Sequence, residues 1–86
     1  MKVKKKLKKY GITIDQYDAM LKFQNNCCNI CKTHKSEFKK NLAVDHCHKT
    51  GKVRKLLCHK CNTTLGLMDE NIDNLNKLIE YIKEYN

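Results

Sequence analysis

Apolar positions along the chain change their period several times, and each change marks an element. Thr13 followed by Gln16 forms a helix-starting pair, in which the threonine caps a backbone N–H and the glutamine reaches back. Tyr17, Met20, Leu21 and Gln24 then recur at helical spacing, predicting a helix over about residues 14–24 that ends at Asn25-Asn26. Leu42-Ala43-Val44 is a short apolar strand. Lys49-Thr50-Gly51 is a turn in which Gly51 can take a positive φ, and residues 52–57 form the return strand with Val53 at its start. Asn62-Thr63-Thr64-Leu65 reads as the start of another helix, loosened at Gly66. A last helix runs to about Tyr85 from an N-cap at Asp69 or Asn71. Its apolar stripe is Ile72, Leu75, Ile79 and Ile82, widened by Leu78. Asp69, Glu70 and Asp73 stand at its start, where they suit the helix dipole. The pattern is that of one small α+β domain.

With 86 residues, such a domain buries only roughly 60% of its unfolded surface and needs a staple. Six cysteines offer one. Residues 1–10 are rich in lysine and lead into no apolar run, so neither a signal peptide nor a membrane span is expected. The thiols are expected to be reduced, in a bacterial cytoplasm or that of a phage-infected cell. Cys28-x-x-Cys31 and Cys58-x-x-Cys61 are two knuckles of the kind that close a tetrahedral four-cysteine zinc site, structural because no position is left for water. The competing reading, buried free cysteines or a redox pair, fits this doubled spacing poorly. Cys27 stands one residue too far from Cys31, Cys47 reads as a small buried side chain or a bystander, and His34 and His59 read as surface histidines.

Charge adds a partner. Residues 1–68 carry 16 Lys/Arg against 4 Asp/Glu, net +12, whereas residues 69–86 carry 2 against 5, net −3. A basic body of this kind calls for an anion, and nucleic acid is the commonest. Residues 1–9 form a basic arm holding Lys2, Lys4, Lys5, Lys6, Lys8 and Lys9, read as a tail seeking phosphate or, with Val3 and Leu7 four apart, as a helix face. Residues 10–86 form the domain proper. Around the turn, Lys49, Lys52, Arg54 and Lys55 are placed to line a duplex backbone, where phosphate contacts position DNA without reading its sequence. The same lysines also keep a strand edge soluble.

Between the knuckles lies Asp45-His46-Cys47-His48. Cleavage of a phosphodiester needs a base to activate water and a cation to stabilise the leaving oxygen, and a histidine beside a hard-metal carboxylate can supply both. Asn62, directly after the second knuckle, adds an oxygen donor of the type Mg²⁺ accepts. Adjacent residues of a regular strand face opposite ways, so Asp45 and His46 reach one phosphate only if the strand ends or twists there. His46 and His48 would share a face.

The order of Tyr10-Gly11-Ile12-Thr13, a helix, Cys28-x-Ile30-Cys31, Leu42-Ala43-Val44-Asp45-His46-Cys47-His48, Thr50-Gly51-Lys52-Val53-Arg54, Leu56-Leu57-Cys58-x-x-Cys61-Asn62 and Leu65-Gly66 resembles the recombination endonuclease VII family, a phage-type branch of the HNH or His-Me finger nucleases. The resemblance runs from about residue 10 to 83. It implies a ββα-metal unit, made of the hairpin of residues 42–57 and a helix starting near Asn62, held by zinc and flanked by N- and C-terminal helices. It implies that Asp45 and Asn62 hold a catalytic Mg²⁺ or Mn²⁺, that His46 is the general base, and that His48 positions or neutralises the scissile phosphate. The metal would stabilise the departing 3′ oxygen, leaving a 5′-phosphate. The founding enzyme of the family is longer, dimerises through extended helices, resolves branched DNA, and is similar in having an acidic residue four positions after the last zinc cysteine, where this chain has Leu65. The implied function is a metal-dependent DNA endonuclease that nicks DNA or resolves Holliday junctions, with little sequence specificity and a preference for bent or branched duplex. The last helix would close the core or pair two copies. The alternative is a non-catalytic zinc-stabilised nucleic-acid-binding module, which would need the lysines and knuckles but has no use for Asp45, His46 and Asn62.

Overall fold

The computed structural model describes residue 7 and residues 9–86, and most of the basic arm lies outside these. Among them, Leu7 and Tyr10 are helical and Leu7 is part of the core. The elements follow in the order α1 (Ile14–Phe23), a 3₁₀ turn (Lys35–Glu37), β1 (Ala43–His46), β2 (Val53–Leu57), α2 (His59–Leu67) and α3 (Ile72–Tyr85).

Helix α1 starts as its sequence predicts. The Thr13 hydroxyl accepts from the Gln16 N–H at 3.1 Å, and the Gln16 side chain accepts from the Thr13 N–H at 2.8 Å. It ends in Asn25 and Asn26, both at positive φ (56° and 60°), which asparagine tolerates better than most side chains. Tyr17 turns its ring into the core, and its hydroxyl donates to the Leu42 carbonyl at 2.6 Å, fixing α1 to the segment entering β1.

β1 and β2 form an antiparallel hairpin, closed by Gly51 at φ 76°. Ala43 pairs with Leu57 and Val44 with Leu56, but His46 pairs with Val53. One residue of β1, Asp45, thus faces two of β2, Arg54 and Lys55. This is a β-bulge, which bends the strand and re-aims side chains locally. At this bulge the Asp45 carboxylate turns to Arg54 on the facing strand. The core is small: Leu7, Tyr17, Cys28, Leu42, Val44, Leu56, Leu57 and Cys58 are buried, with Ile12, Met20, Leu21, Phe38 and Leu65 packed around them.

Two sequence expectations need correction. The helix after the second knuckle begins at His59, three residues before Asn62, because Cys58 itself is the N-cap and its carbonyl accepts from the Asn62 N–H at 3.0 Å. The last helix does not close the core. Asn71 caps it, accepting from the Asn74 N–H at 3.0 Å, and its stripe residues Ile72, Leu78, Ile79 and Ile82 are exposed. Asp69 and Glu70 are not in its first turn. They form the connection from α2, both at positive φ (54° and 53°).

Candidate active site

The two knuckles converge. In the first, the Lys32 N–H donates to the Cys28 carbonyl and the Cys28 N–H to the Thr33 carbonyl, each at 3.0 Å, folding Cys28 and Cys31 onto one side. The second begins where β2 ends. Cys58 caps α2 and Cys61 lies in its first turn. The strand joins the two, since the Asn29 N–H donates to the Leu56 carbonyl at 3.1 Å. The four sulfurs of Cys28, Cys31, Cys58 and Cys61 all lie within 4.8 Å of one another, with Cys31 and Cys58 at 3.9 Å. A tetrahedral zinc thiolate, with bonds of about 2.3 Å, needs sulfurs about 3.8 Å apart, so the cluster fits a zinc ion.

The thiols also show why a cation belongs there. The Thr33 hydroxyl and N–H stabilise the Cys31 thiolate and lower its pKa to about 6. Burial alone would raise Cys28, but the N–H groups of Cys58, Cys31 and Ile30 outweigh it and lower the pKa. Cys61 is pushed up to about 12, first by burial and then by the three sulfurs beside it. A thiolate at Cys61 is thus disfavoured by burial and by the neighbouring sulfurs, a cost that a bound cation would offset. Cys27 and Cys47 stand outside the cluster. All six cysteines are free of disulfides. His34 is also accounted for, its ring accepting from the Ser36 N–H at 3.1 Å to cap the 3₁₀ turn. His59 is an exposed first residue of α2.

Asp45 is buried at the bulge. Its carboxylate accepts two bonds from Arg54, Nε to Oδ2 at 2.6 Å and Nη2 to Oδ1 at 3.0 Å. The third guanidinium nitrogen, Nη1, lies 2.7 Å from Glu70 Oε1. Asp45 and Glu70 together raise the Arg54 pKa still further above its ordinary value. His46 is half-buried, its ring centroid 5.0 Å from that of Tyr10 and 5.1 Å from that of His48. The structure therefore brings His46 and His48 together as expected. His48 lines, with Cys47, Lys49, Leu65, Gly66, Asp69 and Glu70, a cleft of about 350 Å³ between the hairpin turn and the end of α2. Asn62 stands in the first turn of α2, which packs against β1.

Of the four basic residues expected on a duplex, Lys49 and Lys52 are exposed beside the turn, and Lys55 lies 4.9 Å above the Phe23 ring. Arg54 instead spends its guanidinium on two carboxylates. Sequence reasoning misses this, and it misses the contact of Glu70 with Arg54. The only hint in the sequence is that residues 69–70 interrupt the helical period.

Among the described residues no helix is long and apolar enough to cross a membrane. The model of one family, recombination endonuclease VII, matches residues 3–84. The Gene 59 protein of Mycobacterium phage L5 is 47% identical over 74 residues, covering 85% of this chain and 44% of that protein. The Gene 59 protein of Mycobacterium phage D29 is 43% identical over 76 residues, covering 87% and 46%. The chain thus spans less than half the length of these relatives. Among solved structures, the ββα-Me type II restriction endonuclease Hpy99I superposes with a TM-score of 0.60 and 42% identity, over 69% of this chain and 32% of that one. Matched by the family model over nearly all of its length, the chain belongs to the recombination endonuclease VII family.

Proposed function

We propose that this protein is a metal-dependent DNA endonuclease of the HNH type, with zinc in the four-cysteine cluster as a structural ion. The observation that supports the reading is the buried Asp45 at the bulge that precedes His46 at the end of β1, with α2, the helix that bears Asn62, packed against that strand. Family membership and the likeness to a ββα-Me nuclease support it. Within this reading, the Asp45 carboxylate and the Asn62 amide would hold Mg²⁺ or Mn²⁺, since both offer the hard oxygen donors these ions prefer. When bound, such an ion stabilises the charge that develops on the leaving 3′ oxygen.

The other roles fall to the chain itself. His46 takes the proton from the attacking water, with the Tyr10 ring packed beside it. His48, next to it, meets the scissile phosphate. Lys49, Lys52 and Lys55 contact neighbouring phosphates, which gives binding without sequence preference. The uncovered apolar stripe of α3 supports pairing with a second copy, a geometry suited to branched DNA, and sedimentation of the purified protein tests that part. Phage relatives support action in the infected host cell. The chemistry is tested by the ends it makes. Products from Mg²⁺-containing reactions should carry 5′-phosphates that DNA ligase reseals, and His46→Ala should make none. Ends that ligase rejects, or unchanged cutting by His46→Ala, would overturn the assignment.

A further inference from the structure

The sequence places Arg54 on the DNA backbone, yet among the described residues its guanidinium pairs with two carboxylates of the chain itself. Its planar fork meets both oxygens of Asp45, at 2.6 and 3.0 Å, and its remaining nitrogen meets Glu70 at 2.7 Å. Asp45 is the acceptor that the bulge turns toward it, because Asp45 alone faces Arg54 and Lys55 across the hairpin. Glu70 is brought from a different element altogether. It sits in the α2–α3 connection, where two successive non-glycine residues adopt left-handed backbone, a conformation tolerated best by asparagine and aspartate. The Glu70 N–H bonds the Leu65 carbonyl at 3.0 Å, which anchors this turn to the end of α2.

We propose that Arg54 is a positioning residue, anchored by Glu70, that fixes the Asp45 carboxylate for the catalytic metal instead of contacting DNA. The inference rests on the reading of Asp45 as a metal ligand. Ligating carboxylates are commonly oriented by hydrogen-bonding partners behind them, and loss of such a partner typically weakens metal binding about 10–100-fold. Arginine suits the task because its fork holds a carboxylate in one plane, which a lysine ammonium cannot do.

Charge and geometry make opposite forecasts for Arg54→Gln, which allows a clean test. Arg54→Gln removes a positive charge and Glu70→Gln a negative one. If charge alone mattered, the first would tighten binding of a divalent cation and the second would weaken it. If Arg54 and Glu70 act together to hold Asp45, both substitutions weaken it. The measurement is Mn²⁺ titration of zinc-loaded protein followed by electron paramagnetic resonance, without DNA, for wild type, Arg54→Gln, Arg54→Lys, Glu70→Gln, the Arg54→Gln/Glu70→Gln pair and Asp45→Asn. Circular dichroism and zinc content establish that each variant is folded.

The expected result is a loss of about tenfold or more for each glutamine variant, a smaller loss for Arg54→Lys, and a double variant no worse than the poorer single one, since the two residues act through one contact. DNA affinity in EDTA should keep its wild-type salt dependence in Arg54→Gln. Tighter Mn²⁺ binding by Arg54→Gln, or no change, would overturn the proposal. So would a salt slope reduced by about one, the mark of a lost phosphate contact. Asp45→Asn separates the two levels: unchanged Mn²⁺ affinity in that variant refutes Asp45 as a ligand, whereas a loss there with Arg54→Gln unaffected refutes only the positioning role.

Discussion

Replacing Gln24 with leucine should destabilise the protein more than any other change to a single neutral polar side chain. Gln24 caps the end of α1 and is 9% exposed. Its Nε2 donates to the Cys27 carbonyl at 2.8 Å and to the Leu56 carbonyl at 2.9 Å, and its Oε1 accepts from the Leu56 N–H at 2.8 Å. One amide therefore occupies the free edge of β2 as a neighbouring strand would, and ties it to the residue before the first knuckle. Leucine has similar volume but offers no partner. Three hydrogen bonds at about 1 kcal/mol each, plus at least about 1 kcal/mol for leaving the Leu56 N–H unpaired in the interior, give about 4 kcal/mol. A domain of this size has roughly 0.05–0.15 kcal/mol per residue in total, so the loss is a large share. At about 4–8 °C per kcal/mol, Tm should fall by roughly 15–30 °C. Gln24→Glu should be worse still at neutral pH, because the new carboxylate would face two carbonyl oxygens. The assay is urea denaturation of zinc-loaded wild type, Gln24→Leu and Gln24→Glu at fixed excess zinc, with the slope compared to confirm that the same surface unfolds. A Gln24→Leu protein within about 0.5 kcal/mol of wild type would show that the amide does not hold the strand edge.

Further predictions concern the cluster, the core and the base. Cys58→Ser should abolish stoichiometric zinc and the cooperative melt together, because zinc binding and folding are coupled; a cooperative melt at unchanged temperature would contradict the zinc assignment. Tyr17→Phe should cost about 1–1.5 kcal/mol through loss of the bond to the Leu42 carbonyl. Burial, then Asp18, raises the Tyr17 pKa above its ordinary value of 10.0, so its contribution is fully present below that pH and is lost as pH rises beyond it; denaturation at about pH 8 and about pH 11 should show a steeper alkaline loss in wild type than in Tyr17→Phe. His46→Ala should leave denaturation midpoint and DNA affinity unchanged while cleavage disappears, which gel-shift and nicking assays on one preparation would check.

Much of this architecture is legible in the sequence because it is local. The capping box of α1, the glycine of the hairpin turn and the two Cys-x-x-Cys spacings each depend on residues a few positions apart, and the structure has them where expected. The sequence places the start of α2 too late because a cysteine of the zinc cluster serves as its N-cap, a role usually filled by Ser, Thr, Asp or Asn. The bulge leaves no mark on the alternation of β1, since so short a strand cannot show a slipped register. The Arg54 bridge depends on that bulge and on a left-handed turn in a later connection, neither of which a periodicity reports. Gln24 looks like one more polar position closing a helix, and only its bonds to Leu56, 32 residues away in sequence, reveal what it holds. The apolar stripe of α3 is legible as a stripe, but its period does not say whether it faces the core or lies open.

Hydrolysis of DNA by the Asp45–His46 site is tested most directly by incubating zinc-loaded wild type and His46→Ala with supercoiled plasmid and a synthetic four-way junction, each in Mg²⁺ and in EDTA. Wild type should cut in Mg²⁺ alone, and His46→Ala should bind both DNAs without cutting either. Folded wild-type protein that binds both DNAs but cuts neither with any divalent metal would contradict the nuclease assignment, and would make the chain a zinc-stabilised DNA-binding module.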